Sequence, residues 1–430
     1  MPRTIRIRTA LMAASLAAFS ASAHAQQCPI AEALQASDAD VRLYDTHVST
    51  LSSPAMGGRL PASPGMELAK GYVQRVFEIA GLEPAFGSEG DASWRQPFDW
   101  NGQTAENVGG ILRGRGNLAD QYIVVGAHLD HLGMGEGSSR GTSGQLHPGA
   151  DDNASGVAAV LLMADQLASS YAQSDEDHRS VLFLALSGEE TGLQGATYYA
   201  NNPIAPITTH TIMINIDMIG RIQEDRISVS GLGTAAGLER TLSPVFEASE
   251  MREQIESSMS ARSDHYAFYE ANVPVLFVTQ TDQHDDYHTQ NDMPWKINRT
   301  DGAETAAVMS EVVRTLSTVR SNLAFTRVQS ASRGPSMGSM RVRFGIRPGT
   351  YVDGVSGVAV GGVTPDSPAD YAGVKAGDVL VSWNGEAVGD VRAWMGQLMR
   401  HNPGDVVTIA VDREGERIEL RVTLQGRDGV

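Results

Sequence analysis

Apolar residues in this chain gather into short unbroken runs, and helical periodicities lie between them. Tyr-Ile-Val-Val-Gly at 122–126 is such a run, followed by 181–186, 211–216, 227–230 and 274–278. Runs of this length without polar alternation predict strands covered on both faces, hence a mostly parallel sheet. Val41, Tyr44, Val48 and Leu51 recur at helical spacing, and a second helix is predicted over 65–80. Ser-Pro and Gly-Gly between the two mark a loop around Arg59. Further helices are predicted at 155–169, 195–201 and 301–322, and a long Gly/Ser loop at 133–149. The fold class expected is α/β, a mostly parallel mixed sheet with helices on both faces.

The pattern changes at 327–340, which is small, polar and aperiodic, as a linker is. Beyond it, short strands at 357–360, 378–382, 406–411 and 418–422 surround one helix at 391–401, describing a small β-rich unit over 341–426. The first 25 residues carry Arg3, Arg6 and Arg8, then an apolar stretch from Leu11 to Phe19, then Ala23-His24-Ala25. That arrangement reads as a cleaved secretory signal peptide, leaving 26–326 as the large unit and placing the mature chain in the periplasm or outside the cell. The apolar stretch is too short for a permanent span, and no small residues precede Cys28 as a lipid anchor requires.

Composition narrows the chemistry. Cys28 is the single cysteine of 430 residues, so there is no internal disulfide and no multi-cysteine zinc site. Net charge is −18, and removal of the three leader arginines takes it to −21. So acidic a chain disfavours nucleic acid and anionic lipid as partners.

Candidate metal ligands then fall, in order, at the downstream ends of the predicted strands. They are His128, Asp151, Glu190, Asp217 and His288. Ligands of an open α/β sheet bind beyond the carboxyl ends of its strands, so these five converge. Two imidazoles and three carboxylates suit two zinc ions that share a bridging carboxylate. Asp130 lies on the same side of an extended segment as His128 and can accept its other ring proton. His131 competes with His128, and His284 with His288. Asp151-Asp152 carries one more carboxylate than a helix cap needs. Glu189-Glu190 allows one acid to bind metal while the other takes a proton from water. Asp217 interrupts an apolar strand, where an unpaired carboxylate is costly. Asp292 follows His288 by four residues and is a candidate partner for it.

Taken together, these segments resemble the dinuclear zinc aminopeptidase family of clan MH, which includes secreted leucyl aminopeptidases and glutamate carboxypeptidase. The resemblance runs over about 38–323. It rests on Gly126-Ala-His-Leu-Asp130, Gly149-Ala-Asp-Asp-Asn-Ala-Ser-Gly156, Ser187-Gly-Glu-Glu-Thr-Gly-Leu-Gln-Gly195, Asn215-Ile-Asp217, Ser263-Asp-His265 and His288-Thr289. It implies one zinc on His128 and Asp217, a second on Glu190 and His288, and Asp151 as the bridge, with a cis peptide to Asp152. It also implies Glu189 as general base, Asp130 as partner of His128, and zinc ions that activate a water and polarise the scissile carbonyl. The implied activity is release of N-terminal residues from peptides with a free amine. A carboxypeptidase on the same scaffold would need a basic pocket, for which Arg59 and Arg262 are the candidates. A non-catalytic binding protein would have lost ligands, and none is lost. A glutaminyl-cyclase-like transferase would dispense with part of the two-metal set.

The interval between Phe86 and Tyr122 leaves no room for the protease-associated insert of many relatives. The second unit resembles a PDZ domain through Arg343-Phe-Gly-Ile346, Val363-Thr-Pro-Asp-Ser-Pro-Ala369 and Ala372-Gly-Val-Lys-Ala-Gly-Asp-Val-Leu380. That resemblance implies a peptide C-terminus as partner at Phe344-Gly345-Ile346.

Overall fold

The computed structural model describes residues 39–426 except 89, 321–322, 329, 332–341, 349–356, 366, 389–393, 395–396, 399 and 414. The leader, Cys28, most of the 327–340 segment and much of the helix expected at 391–401 therefore lie outside the described residues. Two helices come first, α1 (Ala39–Leu51) and α2 (Pro64–Ile79). Ser63 caps α2 by accepting the Met66 N–H at 3.2 Å, with Pro64 at the first helical position, where its missing donor costs nothing. Next follow β1 (Arg95–Trp100), β2 (Gln103–Leu112), β3 (Tyr122–His128), α3 (Gly156–Ala172), β4 (Ser180–Leu186), α4 (Gln194–Asn201) and β5 (His210–Ile216). The large unit ends with β6 (Arg226–Ser230), α5 (Leu238–Ala248), β7 (Arg252–Glu256), α6 (His265–Glu270), β8 (Val275–Gln280) and α7 (Arg299–Thr318).

Nine strands form one mixed sheet, in the order Glu83–Pro84, β2, β4, β3, β5, β8, β6, β7, with β1 paired to β2. β3 runs parallel to β4 and to β5, β5 to β8, and β6 to β7. β2 is antiparallel to β4, and β8 to β6. Alternate residues of each central strand feed two cores. Ile123, Val125 and Ala127 of β3 and Val181, Phe183 and Ala185 of β4 join α1, α3 and α7. Val124 of β3 and Leu182, Leu184 and Leu186 of β4 join Tyr199 of α4 and Phe268 of α6 on the opposite face. Burial of both faces is why these strands read as unbroken apolar runs.

The β1–β2 hairpin was not predicted. Its first strand alternates buried Gln96, Phe98 and Trp100 with more exposed positions, and it is too polar to stand out as an apolar run. α5 escaped too, because Pro244 lies inside it.

The chain after β3 turns to β4 on one side, whereas β5 lies on the other side of β3. The connections leaving β3 and β5 therefore diverge and open a crevice at their carboxyl ends. His128 is the last residue of β3, Asp217 follows β5, and Glu189-Glu190 follow β4. In the C-terminal unit, β9 (Ile346–Pro348), β10 (Val358–Val363), β11 (Val379–Trp383), β12 (Val406–Arg413) and β13 (Glu416–Thr423) pair antiparallel in that order. They enclose Trp383, Phe344 and Val358 in a core of their own.

Candidate metal centre

The crevice brings two imidazoles onto one carboxylate, and that carboxylate belongs to Asp152. Its Oδ1 lies 3.2 Å from His128 Nε2, and its Oδ2 lies 3.1 Å from His288 Nε2. Each imidazole has a second acid of its own. His128 Nε2 is 3.3 Å from Asp217 Oδ1, and His288 Nε2 is 3.1 Å from Glu190 Oε2. The result is two half-sites sharing Asp152.

The other ring nitrogens point away, to backbone carbonyls. His128 Nδ1–H donates to Asp130 O at 3.1 Å, and His288 Nδ1–H to Ser138 O at 3.1 Å. Those bonds orient each ring so that its Nε2 faces the acids. Oriented imidazoles and carboxylates, buried and converging from five directions, are the donor set that zinc takes.

Electrostatics reflects the crowding. Burial disfavours the charged form of His288, yet Glu190 and Asp152 beside it hold its pKa up at about 10. His128 behaves alike, with Asp217 and Glu189 overcoming burial. Burial, reinforced by Glu190, Asp217 and Asp264 against the pull of His128, raises Glu189 well above the carboxylate range.

Four of the five predicted ligand positions, His128, Asp217, Glu190 and His288, meet in the two half-sites, but the predicted bridge does not. Asp151 turns the other way. Its Oδ1 accepts the Gly220 N–H at 2.7 Å, and its Oδ2 accepts Gln280 Nε2–H at 2.7 Å and faces His284 Nε2 at 2.8 Å. Asp151 thus ties the segment before α3 to those after β5 and β8, while Asp152 lies between the imidazoles. The cis peptide is Asp152–Asn153, not Asp151–Asp152. Asp292, the candidate partner for His288, instead accepts the N–H groups of Asp151 and Asp152, each at 3.0 Å. Asp130 is likewise displaced from its expected role. Its carboxylate is 4.0 Å from His128 Nδ1, while it accepts the N–H of Glu189 at 3.1 Å and of Glu190 at 3.3 Å. Asp130 therefore orients the acid pair.

Residues 107–313 match the model of peptidase family M28, and residues 316–424 match that of the PDZ domain. The chain carries an M28 peptidase domain followed by a PDZ domain. It is 29% identical over 238 residues to leupeptin-inactivating enzyme 1 of Streptomyces exfoliatus, which is 55% of this chain and 48% of that protein. The chain thus spans about half the length of that relative. A zinc aminopeptidase of Bacillus subtilis superposes with a TM-score of 0.52 at 15% identity, over 66% of this chain and 98% of that one. A glutaminyl cyclase of Porphyromonas gingivalis gives a TM-score of 0.52 at 16% identity, over 64% and 98%. Those two likenesses concern the fold, and the side chains must separate the chemistries.

Two residues at the centre, Tyr287 and Ser138, were not singled out from sequence. The Tyr287 ring stacks on His288 at 3.8 Å between centroids. Burial, then Asp152, Glu190, Glu189 and Asp217, push its phenol well above the ordinary range, so it stays protonated as a donor beside the acids. Ser138 Oγ–H donates to Glu190 at 3.2 Å. His131 Nδ1 lies 3.0 Å from Glu190 Oε1 but 3.9 Å from Asp152. It can form a ligand group with those acids, yet His288 alone repeats the way His128 shares Asp152 with a second acid. Tyr287 adjoins His288 in sequence, but no periodicity distinguishes it from a packing aromatic.

Arg59 is fully buried and wholly engaged with carbonyls. It donates to Leu129 O at 2.8 Å, Leu51 O at 2.7 Å, Pro148 O at 2.8 Å and Gly149 O at 2.9 Å. It clamps the segment after β3 to the one before Asp151 and leaves no free edge for a substrate carboxylate. Arg262 is exposed.

Proposed function

We propose that this chain is a zinc aminopeptidase, exported to the periplasm or beyond, that removes N-terminal residues from peptides. The observation that carries the reading is the Asp152 carboxylate, whose two oxygens each face a different imidazole with a different second acid. His128 and Asp217 would hold one zinc, His288 and Glu190 the other, and Asp152 both. When bound, the pair supplies Lewis acidity toward the scissile carbonyl and lowers the pKa of a water.

The chain's own groups do the rest. Glu189 takes a proton from the attacking water and returns it to the leaving amine, a task suited to a carboxylate whose affinity for protons is raised by its surroundings. Asp130 holds Glu189 and Glu190 by their N–H groups. The protonated Tyr287 phenol is a donor for the carbonyl oxygen as it gains charge. The acidic cluster attracts the substrate's free ammonium group, which confines cleavage to the N-terminal residue. The carboxypeptidase alternative loses its best anchor, because Arg59 is spent on four carbonyls. The PDZ domain would take a peptide C-terminus as an added strand.

The test is zinc content together with hydrolysis, on matched peptides with free and acetylated N-termini and on one beginning with Gln. About two zinc per chain, with cleavage of the free-amine peptides alone, is the expected result. Cyclisation of the Gln peptide without hydrolysis would make the chain a transferase. Release of residues from the carboxyl end would make it a carboxypeptidase.

A further inference from the structure

The Gly/Ser loop at 133–149 reaches over the metal centre and brings a cation with it. Arg140 N–H donates to His288 O at 2.8 Å, Thr142 N–H to Gln290 at 3.1 Å, and Ser138 accepts from His288 as described. This fastens the loop to the His288 segment at three points. The Arg140 guanidinium lies 4.8 Å from the centroid of the Tyr287 ring, which in turn stacks on His288. Arg140 is exposed and makes no ion pair among the described residues. Nearby Arg221, by contrast, is committed to Asp286 at 3.1 Å.

We infer that Arg140 is a specificity-determining residue, selecting peptides with a carboxylate within one or two residues of the scissile bond. The inference rests on the peptidase reading above. Stacking on Tyr287 holds the guanidinium in place and leaves its N–H edge free, the edge that grips a carboxylate through paired hydrogen bonds. The guanidinium is 4.8 Å from the Tyr287 centroid, itself 3.8 Å from that of His288, a reach that one or two extended residues at ~3.3 Å each cover together with an acidic side chain or a terminal carboxylate. No other described group at this rim pairs with it. A substrate carboxylate is the counter-charge this geometry accepts. It could come from an acidic side chain at the first or second residue, or from the free C-terminus of a dipeptide.

The test compares kcat/KM of the zinc-loaded enzyme on free-amine peptides that differ at one place. Glu replaces Gln at residue one, then at residue two, and dipeptides are compared with their amides. Wild type should favour the carboxylate partner of at least one pair by about tenfold, the worth of a charge-assisted contact, and the favoured pair identifies the source. Arg140→Glu should invert that ratio and raise relative turnover of peptides with Lys at the same place. Arg140→Lys should keep the direction with a smaller ratio. A wild-type ratio near one for every pair, or a ratio unmoved in Arg140→Glu, overturns the inference while leaving the peptidase reading intact. No hydrolysis of any free-amine peptide by wild type overturns both.

Discussion

The Asp292 carboxylate accepts the backbone N–H of Asp152 at 3.0 Å, across 140 residues of sequence. It accepts the Asp151 N–H as well, so one buried acid aims the whole segment that presents the shared carboxylate. Each buried N–H left without a partner costs about 1–3 kcal/mol. Asp292→Ala should therefore lower the thermal midpoint and loosen zinc binding together. Zinc retained at the wild-type level through dialysis would show that Asp292 does not position Asp152.

Asp151 and Asp152 are adjacent, yet their substitutions should separate cleanly. Asp152→Asn should release zinc from both half-sites, because both imidazoles face that carboxylate. Asp151→Asn should keep zinc and lose stability, since Gly220, Gln280 and His284 gather on it. Zinc content and melting curves of the two variants decide the point, and loss of metal in Asp151→Asn alone would reverse the assignment.

Glu189→Gln should hold its zinc and lower kcat by about 10²–10⁴-fold, the usual worth of a general base. The neutral amide has the shape of the acid but cannot take the proton. Retained turnover would remove Glu189 from the chemistry.

Arg59→Lys replaces four directed bonds with a compact ammonium that cannot reach all four carbonyls. Destabilisation of about 3 kcal/mol or more is expected, from more than one orphaned carbonyl at about 1–3 kcal/mol each. Denaturant unfolding measures it. A stability equal to wild type would mean that water replaces the lost bonds.

Acid should destabilise the peptidase domain through buried histidines that take no part in the two half-sites. Burial lowers His47, His210 and His265 from their ordinary value to about 4. The unfolded chain then binds protons that the folded chain refuses, so stability present above about pH 6.5 is lost as pH falls toward 4. Each group contributes up to roughly 3 kcal/mol of that loss. His47→Gln should flatten the dependence of the thermal midpoint between pH 7 and pH 4.5. An unchanged slope would show that His47 is protonated in the folded state.

The sequence by itself determined the central strands and the order in which chemistry follows them. Unbroken apolar runs locate β3, β4, β5 and β8 because a sheet covered on both faces leaves no room for polar alternation. His128, Glu190, Asp217 and His288 were legible because each is a metal-ligating type at the end of such a run, where a parallel sheet opens its crevice. Regular geometry ends at those strand ends, and there legibility ended too. Between Asp151 and Asp152 the backbone follows no repeating period, with Asp152 at φ −107° and ψ 96°. No periodicity therefore says which of two neighbouring carboxylates turns inward. Tertiary structure decided it: Gly220, Gln280 and His284 hold Asp151, Asp292 holds the N–H groups of both, and Asp152 is left facing the imidazoles. The same holds for Asp130, Arg59 and Tyr287, whose partners lie far away in sequence or are carbonyls that no motif records.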